Sequence, residues 1–382
     1  MKYKVTALTP LLVGDGRALS PIDYMVWKDQ VNVLDQNRIF KLLARGPRLE
    51  GYLSQLRKAT KLDFASWGGF AQNFSQRRIP FEHSDSTAIW NATPSEALFI
   101  PTFAAGYRGA YLPASAVKGA LRTGLVHSRW SQATIDRMAS SLENDRLPRR
   151  VSEAAEAAAG ASQTKIVSLA DSEPVTPGAF KVYLIRTASV NTAAGGKPQL
   201  SWKVTGRGSV PPQRMSEATP LFAEMASPGT SFTGSWQERE ALENQDVARA
   251  LGWRSVPSSK MIVDAANDYA EAQIEAQSRY AEAAGLSGIA NTVSRLREEL
   301  ASARAASLSC LLCLGWGGGF VSKSGYLQTE GESFRKILRT VPALSRGLRE
   351  GALFPKTRRI VFKGGQPVSL AGWAIAQLDA QG

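Results

Sequence analysis

Histidine and cysteine are nearly missing from this chain of 382 residues, with two of each. The cysteines, Cys310 and Cys313, sit together in an apolar run, and the histidines, His83 and His127, lie far from them. A tetrahedral zinc site needs four nitrogen or sulfur ligands, and no second cysteine pair exists to complete one. A disulfide framework is excluded for the same reason, so a reducing compartment fits. In a strand, positions three apart point to opposite faces, and the pair reads as core. No apolar run reaches membrane-spanning length, and the first residues, MKYKVTALTPLLVGDG, lack signal-peptide architecture. A cytoplasmic protein with no membrane partner is expected. Acidic residues are also short: 33 Asp and Glu stand against 46 Lys and Arg, a net charge of +13.

What is present points to a polyanion. The sequence pI is about 9.8, and such a surplus favours nucleic acid over small neutral ligands. The surplus is uneven: +8 over residues 1–130, +2 over 131–236, −3 over 237–307 and +6 over 308–382. The two ends carry the positive charge, so they are expected to meet in space and hold the anion together. A hydrophobic content of 43% supports a sizeable core, in one large domain with insertions or in two domains.

The stretch 111–130, YLPASAVKGALRTGLVHSRW, carries the densest signal. Val117, Leu121 and Leu125 make an apolar helical stripe. Ser115 is the expected N-cap. Lys118 and Arg122 lie one turn apart, with Gly119 keeping the surface between them low. Free amides, a positive helix end and two cations together suit a phosphate.

Two glycine loops add to it. The strand read over 2–13 ends in Gly14, Asp15, Gly16 and Arg17. A buried strand over 308–314 ends in Gly315, Trp316, Gly317, Gly318 and Gly319, with Ser322 and Lys323 just beyond. Adjacent glycines let backbone approach a ligand closely. The late loop lacks P-loop spacing and the context of a dinucleotide fingerprint. A hairpin turn is expected at 28–30, and strands over 165–169, 180–189, 221–225 and 231–237. Residues 66–96 read as a long loop or a small protruding hairpin, in which Arg77, Arg78 and aromatics either meet single-stranded nucleic acid or form a surface flap. Residues 238–307, rich in Ala, Glu and Gln, read as a solvated helical insertion, and 332–349 as a basic helix.

These pieces resemble the RAMP superfamily of CRISPR effector subunits. The matching segments are LTPLLVGDG, YLPASAVKGALRTGL and LGWGGGFVSK. SPIDYMV, DSEPV at 171–175, PLFAEMASPGTSFTG, LFPKTRRIV and GWAIAQL resemble the subunit-five branch of type III-A (Csm) complexes. The resemblance implies an α+β fold: a ferredoxin-like, RRM-related core of antiparallel sheet and helices, formed by 1–237 and 308–382, with 238–307 inserted. It implies a non-catalytic subunit that binds the guide (crRNA), caps the backbone filament near the guide's 3′ end and supports its maturation. The partners implied are crRNA, the adjacent repeated backbone subunit and, through the complex, target RNA. By motif the guide contacts are Gly14, Gly16, Lys118, Gly119, Arg122, Gly315, Gly317, Gly318 and Gly319. Chemistry alone adds Arg17, Arg77, Arg78, Ser115, Ser322 and Lys323.

No catalytic residue, metal or cofactor is expected. His83 lies in a loop and His127 inside a helix, where a packed ring is the plainer role. Asp15 and Asp23 read as turn formers. The alternative is a guide-processing endoribonuclease of the same superfamily, built on His83 or a carboxylate near the glycine loops.

Overall fold

The computed structural model describes residues 1–58, 61, 73–144, 148–193, 196–205, 210–345, 347–348 and 353–378. In Lys2–Ala7 the side chains of Tyr3, Val5 and Ala7 face inward and their neighbours face out, the period-two pattern of a strand. This strand is the centre of a five-stranded sheet. Its order is Ser309–Cys313, Trp373–Gln377, Lys2–Ala7, Ser231–Glu238 and Val167–Leu169, with every neighbour antiparallel. Thr6 pairs with Ile375, so the two basic ends of the chain do meet.

Lys2–Ala7, the Ala114–Arg129 helix, Val167–Leu169, Ser231–Glu238, the Ser259–Ala284 helix and Trp373–Gln377 follow one another as βαββαβ. Their strands lie in the order fourth, first, third, second, which is the ferredoxin-like arrangement. Ser309–Cys313 extends that sheet beyond the fourth strand. The fold is α+β, as the sequence implied.

The Ser259–Ala284 helix corrects one expectation. Residues 238–307 do not form a solvated cap; this helix is the second helix of the core. Ile262, Val263 and Ala266 pack into the first hydrophobic core, and Ala270, Ile274, Tyr280 and Ala281 into the second. Its Ala-rich composition is the cause: small residues let neighbours come close. A Cβ on Gly124 of the first helix would lie 2.7 Å from the Ala266 Cα. The acidic residues lie on the outer face, where Arg304 bridges Asp268 and Glu271. The antiparallel Ser287–Ala305 helix follows after Gly285, whose φ of +64° ends the longer helix in a left-handed cap.

A second antiparallel sheet is built on the 13-residue strand Phe180–Thr192. Leu221–Ala226 and Pro198–Trp202 pair with successive halves of one edge, and Thr357–Lys363 with the other, followed by Gln366–Leu370. Cys310 belongs to the first core and Cys313 to the second, so the two thiols do point to opposite faces. Burial pushes both up to about 12.

Residues 66–96 are not one long loop. Ser75–Pro80 pairs with Gln30–Leu34, which forms a hairpin with Tyr24–Trp27, and Asp85–Ala92 is a helix. The expectation for 66–72 lies outside the described residues. The hairpin turn is at Lys28 and Asp29, both with positive φ. Polar alternation in SQRRIP hid the strand, since one face is solvated and the other carries charge inward. Residues 332–349 hold two short helices, Glu332–Arg339 and Pro342–Ser345.

Candidate nucleic-acid interface

The 111–125 segment folds as its periodicity dictates: Val117, Leu121 and Leu125 are all buried, the first two in the first core. Each such burial contributes about 1.5–3 kcal/mol. The cap differs from expectation. Pro113 precedes the helix, and Ser115 lies inside it, exposed. The Ala114 amide instead donates to Asp171 Oδ1 at 2.8 Å. Proline supplies the extended entry, and a carboxylate 57 residues downstream supplies the acceptor, which local sequence reading cannot see. The helix N-terminus is therefore already partly neutralised.

Lys118 joins Arg239 and Lys165, which sit beside it at the end of the first sheet. Burial first, then these two cations, hold its ammonium below the usual lysine range. Arg239 and Lys165 carry no sequence motif; the fold brings them there. Arg122 is ion-paired with Glu156, so its charge is partly spent within the chain. Gly119 has open space around its Cα.

The two glycine loops adjoin. Trp316 N donates to Leu12 O at 2.7 Å. A Cβ on Gly315, whose φ is +67°, would lie 2.1 Å from that same carbonyl oxygen. On the other side, Ala104 N donates to Val13 O at 2.8 Å and Thr102 N to Arg17 O at 3.2 Å. The segment Leu11–Arg17 is thus clamped between the late glycine loop and residues 102–104. Asp15 Oδ1 accepts from Arg17 N at 3.1 Å and forms the turn, while the Arg17 side chain stays 79% exposed. Asp23 likewise caps a turn, accepting from Ser20 N at 2.7 Å.

Not every glycine of the late loop faces outward. Gly319 is exposed, but Gly318 is buried against Ser322 and Cys313. Ser322 is turned inward, its hydroxyl donating to Gly319 O at 3.1 Å. Gly318 and Ser322 therefore build the loop rather than present a surface. Lys323 is exposed. Gly317 lies against Ala371 with a φ of +117°.

Beside this loop opens a cleft of about 520 Å³ lined by Gly317, Gly319, Lys203, Lys356 and Arg359. The Arg359 guanidinium lies 3.9 Å from the centre of the Trp316 ring, a cation–π contact that orders both. Arg359 pairs with no carboxylate among the described residues. A second cleft, near 560 Å³, is lined by Arg17, Arg77, Arg108 and Thr102. Tyr107, fully exposed, and Arg108 form the tip of the hairpin Ala105–Gly106/Gly109–Ala110. Sequence reading missed Arg108, Lys165, Arg239 and Arg359, since only the last stands in a basic run.

Arg77 is engaged inward. Its Nη1 and Nη2 donate to Glu224 at 2.6 and 3.0 Å, and that carboxylate is 1% exposed. Burial pushes the Glu224 carboxyl up, against the pull of Arg77. Arg78 lies exposed on the same strand. His83 Nδ1 lies 3.4 Å from Asp85 Oδ2, and His127 is held by packing. His127 Nδ1 is 2.9 Å from Gly325 O, and its ring packs 4.8 Å from that of Tyr269. Burial holds it below the usual histidine range. His83 precedes the Asp85–Ala92 helix, its Nδ1 accepting from Asp85 N at 3.3 Å.

In sequence the chain matches no family model and no curated protein. Its structure does find likenesses. One is a chain in the cryo-EM structure of a Csm–crRNA–target RNA ternary complex of a type III-A CRISPR-Cas system, at a TM-score of 0.60 and 17% identity. The alignment covers 99% of this chain and 100% of that one. Another is the crystal structure of T. onnurineus Csm5, at a TM-score of 0.60 and 16% identity, covering 97% and 99% of the two chains. This chain shares its fold with Csm5 and with that chain of the Csm complex.

Proposed function

We propose that this chain is a guide-RNA-binding subunit of a type III-A CRISPR effector complex, that it caps the backbone filament near the crRNA 3′ end, and that it supports guide maturation without cleaving RNA. The observation that carries the reading is the junction of the two glycine loops at Leu12 and Trp316. It sets exposed backbone of Gly14, Gly16 and Gly319 near Arg17 and Arg359, cations that can meet successive phosphates. Such contacts position a strand without reading its sequence. The whole-length likeness to a chain of an RNA-bound Csm complex supports it. Its partners on this reading are the repeated backbone subunit and, through the complex, target RNA.

The test uses the purified chain and a crRNA, with affinity measured over a salt series. Each phosphate contact on a single strand contributes about 0.7 to the slope of log K against log salt. Arg17→Ala combined with Arg359→Ala should flatten the slope by about 1.4 on that rule and leave the fold intact by circular dichroism. An unchanged slope would remove the loop junction from the interface. Cleavage of a repeat RNA that is lost in His83→Ala would replace the non-catalytic reading with the endoribonuclease one.

A further inference from the structure

At the opposite end of the Ala114–Arg129 helix lies a pocket of about 540 Å³ that the reading above does not use. Arg129, Gln163, Gly160, Trp253, Arg254 and Ser255 line it. Three of its features ask for a ligand.

The first is charge. Arg129 Nη1 donates to Ala159 O at 2.9 Å and Nη2 to the Met261 sulfur at 3.5 Å, both uncharged acceptors. Arg254 is exposed, and neither arginine meets a carboxylate among the described residues. The second arginine faces the first closely enough to lower its affinity for a proton further, beyond the effect of burial. Two neighbouring guanidiniums without a counter-charge are a site for a planar or tetrahedral oxyanion.

The second is an orphan acceptor. Gln163 is 1% exposed. Its Nε2 donates to Ser255 O at 2.7 Å, which fixes the amide orientation. Its Oε1 has no partner among the described residues. A buried carbonyl left unpaired keeps its desolvation cost, and a ligand N–H would remove it.

The third is shape. Gly160 and Gly252 hold φ of +69° and +68° at the pocket wall. A Cβ on Gly160 would lie 2.4 Å from Arg129 Nη1 and 3.4 Å from Gln163 Oε1, so only glycine leaves the Arg129 guanidinium in this place. Trp253 is 8% exposed and donates its indole N–H to Ser162 Oγ at 2.7 Å, so the strip of ring that reaches the pocket is apolar. The volume lies within the usual range of small-ligand sites.

We propose that this pocket binds a nucleoside monophosphate unit, with the phosphate on Arg129 and Arg254, the base against Trp253 and a base N–H donated to Gln163 Oε1. An oxyanion, a flat apolar ring and a hydrogen-bond donor occur together in that ligand. An acidic peptide supplies the first and third but no ring. A free nucleotide and one nucleotide of an RNA chain offer the same chemistry.

The experiment is calorimetric titration of the full chain at low salt with UMP and GMP, and with uridine and inorganic phosphate as partial ligands. The monophosphates should bind at least tenfold more tightly than either part. Arg254→Ala, at an exposed position that the fold does not need, should weaken them at least tenfold, and Arg254→Lys should restore part of the loss. Gln163→Met should reduce the advantage of the nucleotide over inorganic phosphate. A short RNA that displaces the bound monophosphate assigns the site to a strand; failure to displace assigns it to free nucleotide, and both support the pocket. No binding by the wild-type chain, or equal binding by Arg254→Ala, overturns the proposal. The Arg17→Ala/Arg359→Ala variant should bind the monophosphates unchanged, which separates this outcome from that of the glycine-loop interface.

Discussion

Trp316 N and Leu12 O share a hydrogen bond of 2.7 Å, and through it the last quarter of the chain is fastened to the first dozen residues. The bond requires that Gly315 have no side chain. Gly315→Ala would place a methyl 2.1 Å from the Leu12 oxygen on a left-handed backbone. Gly319 has a φ of +60° but open space, so Gly319→Ala should cost only the conformational strain, about 1–2 kcal/mol. Chemical denaturation of the two variants should show Gly315→Ala the less stable by a clear margin. Equal losses would mean that the loop can move off the first strand.

Arg77 and Glu224 form the most consequential ion pair. Removing one member of a buried pair costs about 3–5 kcal/mol, because the other charge is left in a dry site. Arg77→Ala should therefore be strongly destabilised at neutral pH. The Glu224 carboxyl is raised in the fold, so its contribution is fully present below the ordinary glutamate value of 4.5 and is lost as pH rises through the folded value. The deficit of Arg77→Ala should accordingly shrink on acidification, and Glu224→Gln in the same background should recover much of it at pH 7. A pH-independent deficit would show that packing, not charge, is what Arg77 supplies.

The Ala114–Arg129 helix holds two glycines with opposite roles. At Gly124 a Cβ would meet the Ala266 backbone at 2.7 Å, and overpacking of this kind costs about 1–3 kcal/mol. At Gly119 nothing lies within 4 Å, and alanine in a helix interior gains about 0.8–1 kcal/mol over glycine. Thermal melts should move down for Gly124→Ala and up for Gly119→Ala. If Gly119→Ala nonetheless weakens RNA binding in the salt series, the ligand backbone approaches that position.

His127 is half-buried against Tyr269 and held below 6.5. A depressed histidine favours the fold above its unfolded value, and that stability is lost as pH falls from 6.5 toward the folded value. Stability measured from pH 7.5 to 5 should therefore fall less steeply in His127→Phe than in the wild-type chain. The same slope in both would show that the ring is protonated within its packing.

Much of this was legible in the residues. The strand of Lys2–Ala7, the stripe of Val117, Leu121 and Leu125, and the opposite-facing cysteines all follow from periodicity, because side-chain direction repeats with the backbone. The glycine loops were visible as glycine, and the meeting of the two ends was visible as charge. The role of the Ser259–Ala284 helix was not. Its outer face is acidic, and an Ala-rich helix reads as solvated until the helix that needs close approach, with Gly124, is set against it.

By itself the sequence determined which segments become strands and helices, and that basic charge gathers at the two ends, because both depend on neighbours along the chain. The tertiary structure alone decided which cations are free to meet an anion. Arg77 went to Glu224, 147 residues away, and Arg122 to Glu156. Lys118 was left with Lys165 and Arg239, and Arg359 with the Trp316 ring. A charge finds its partner through space, and burial then sets how strongly the two hold each other.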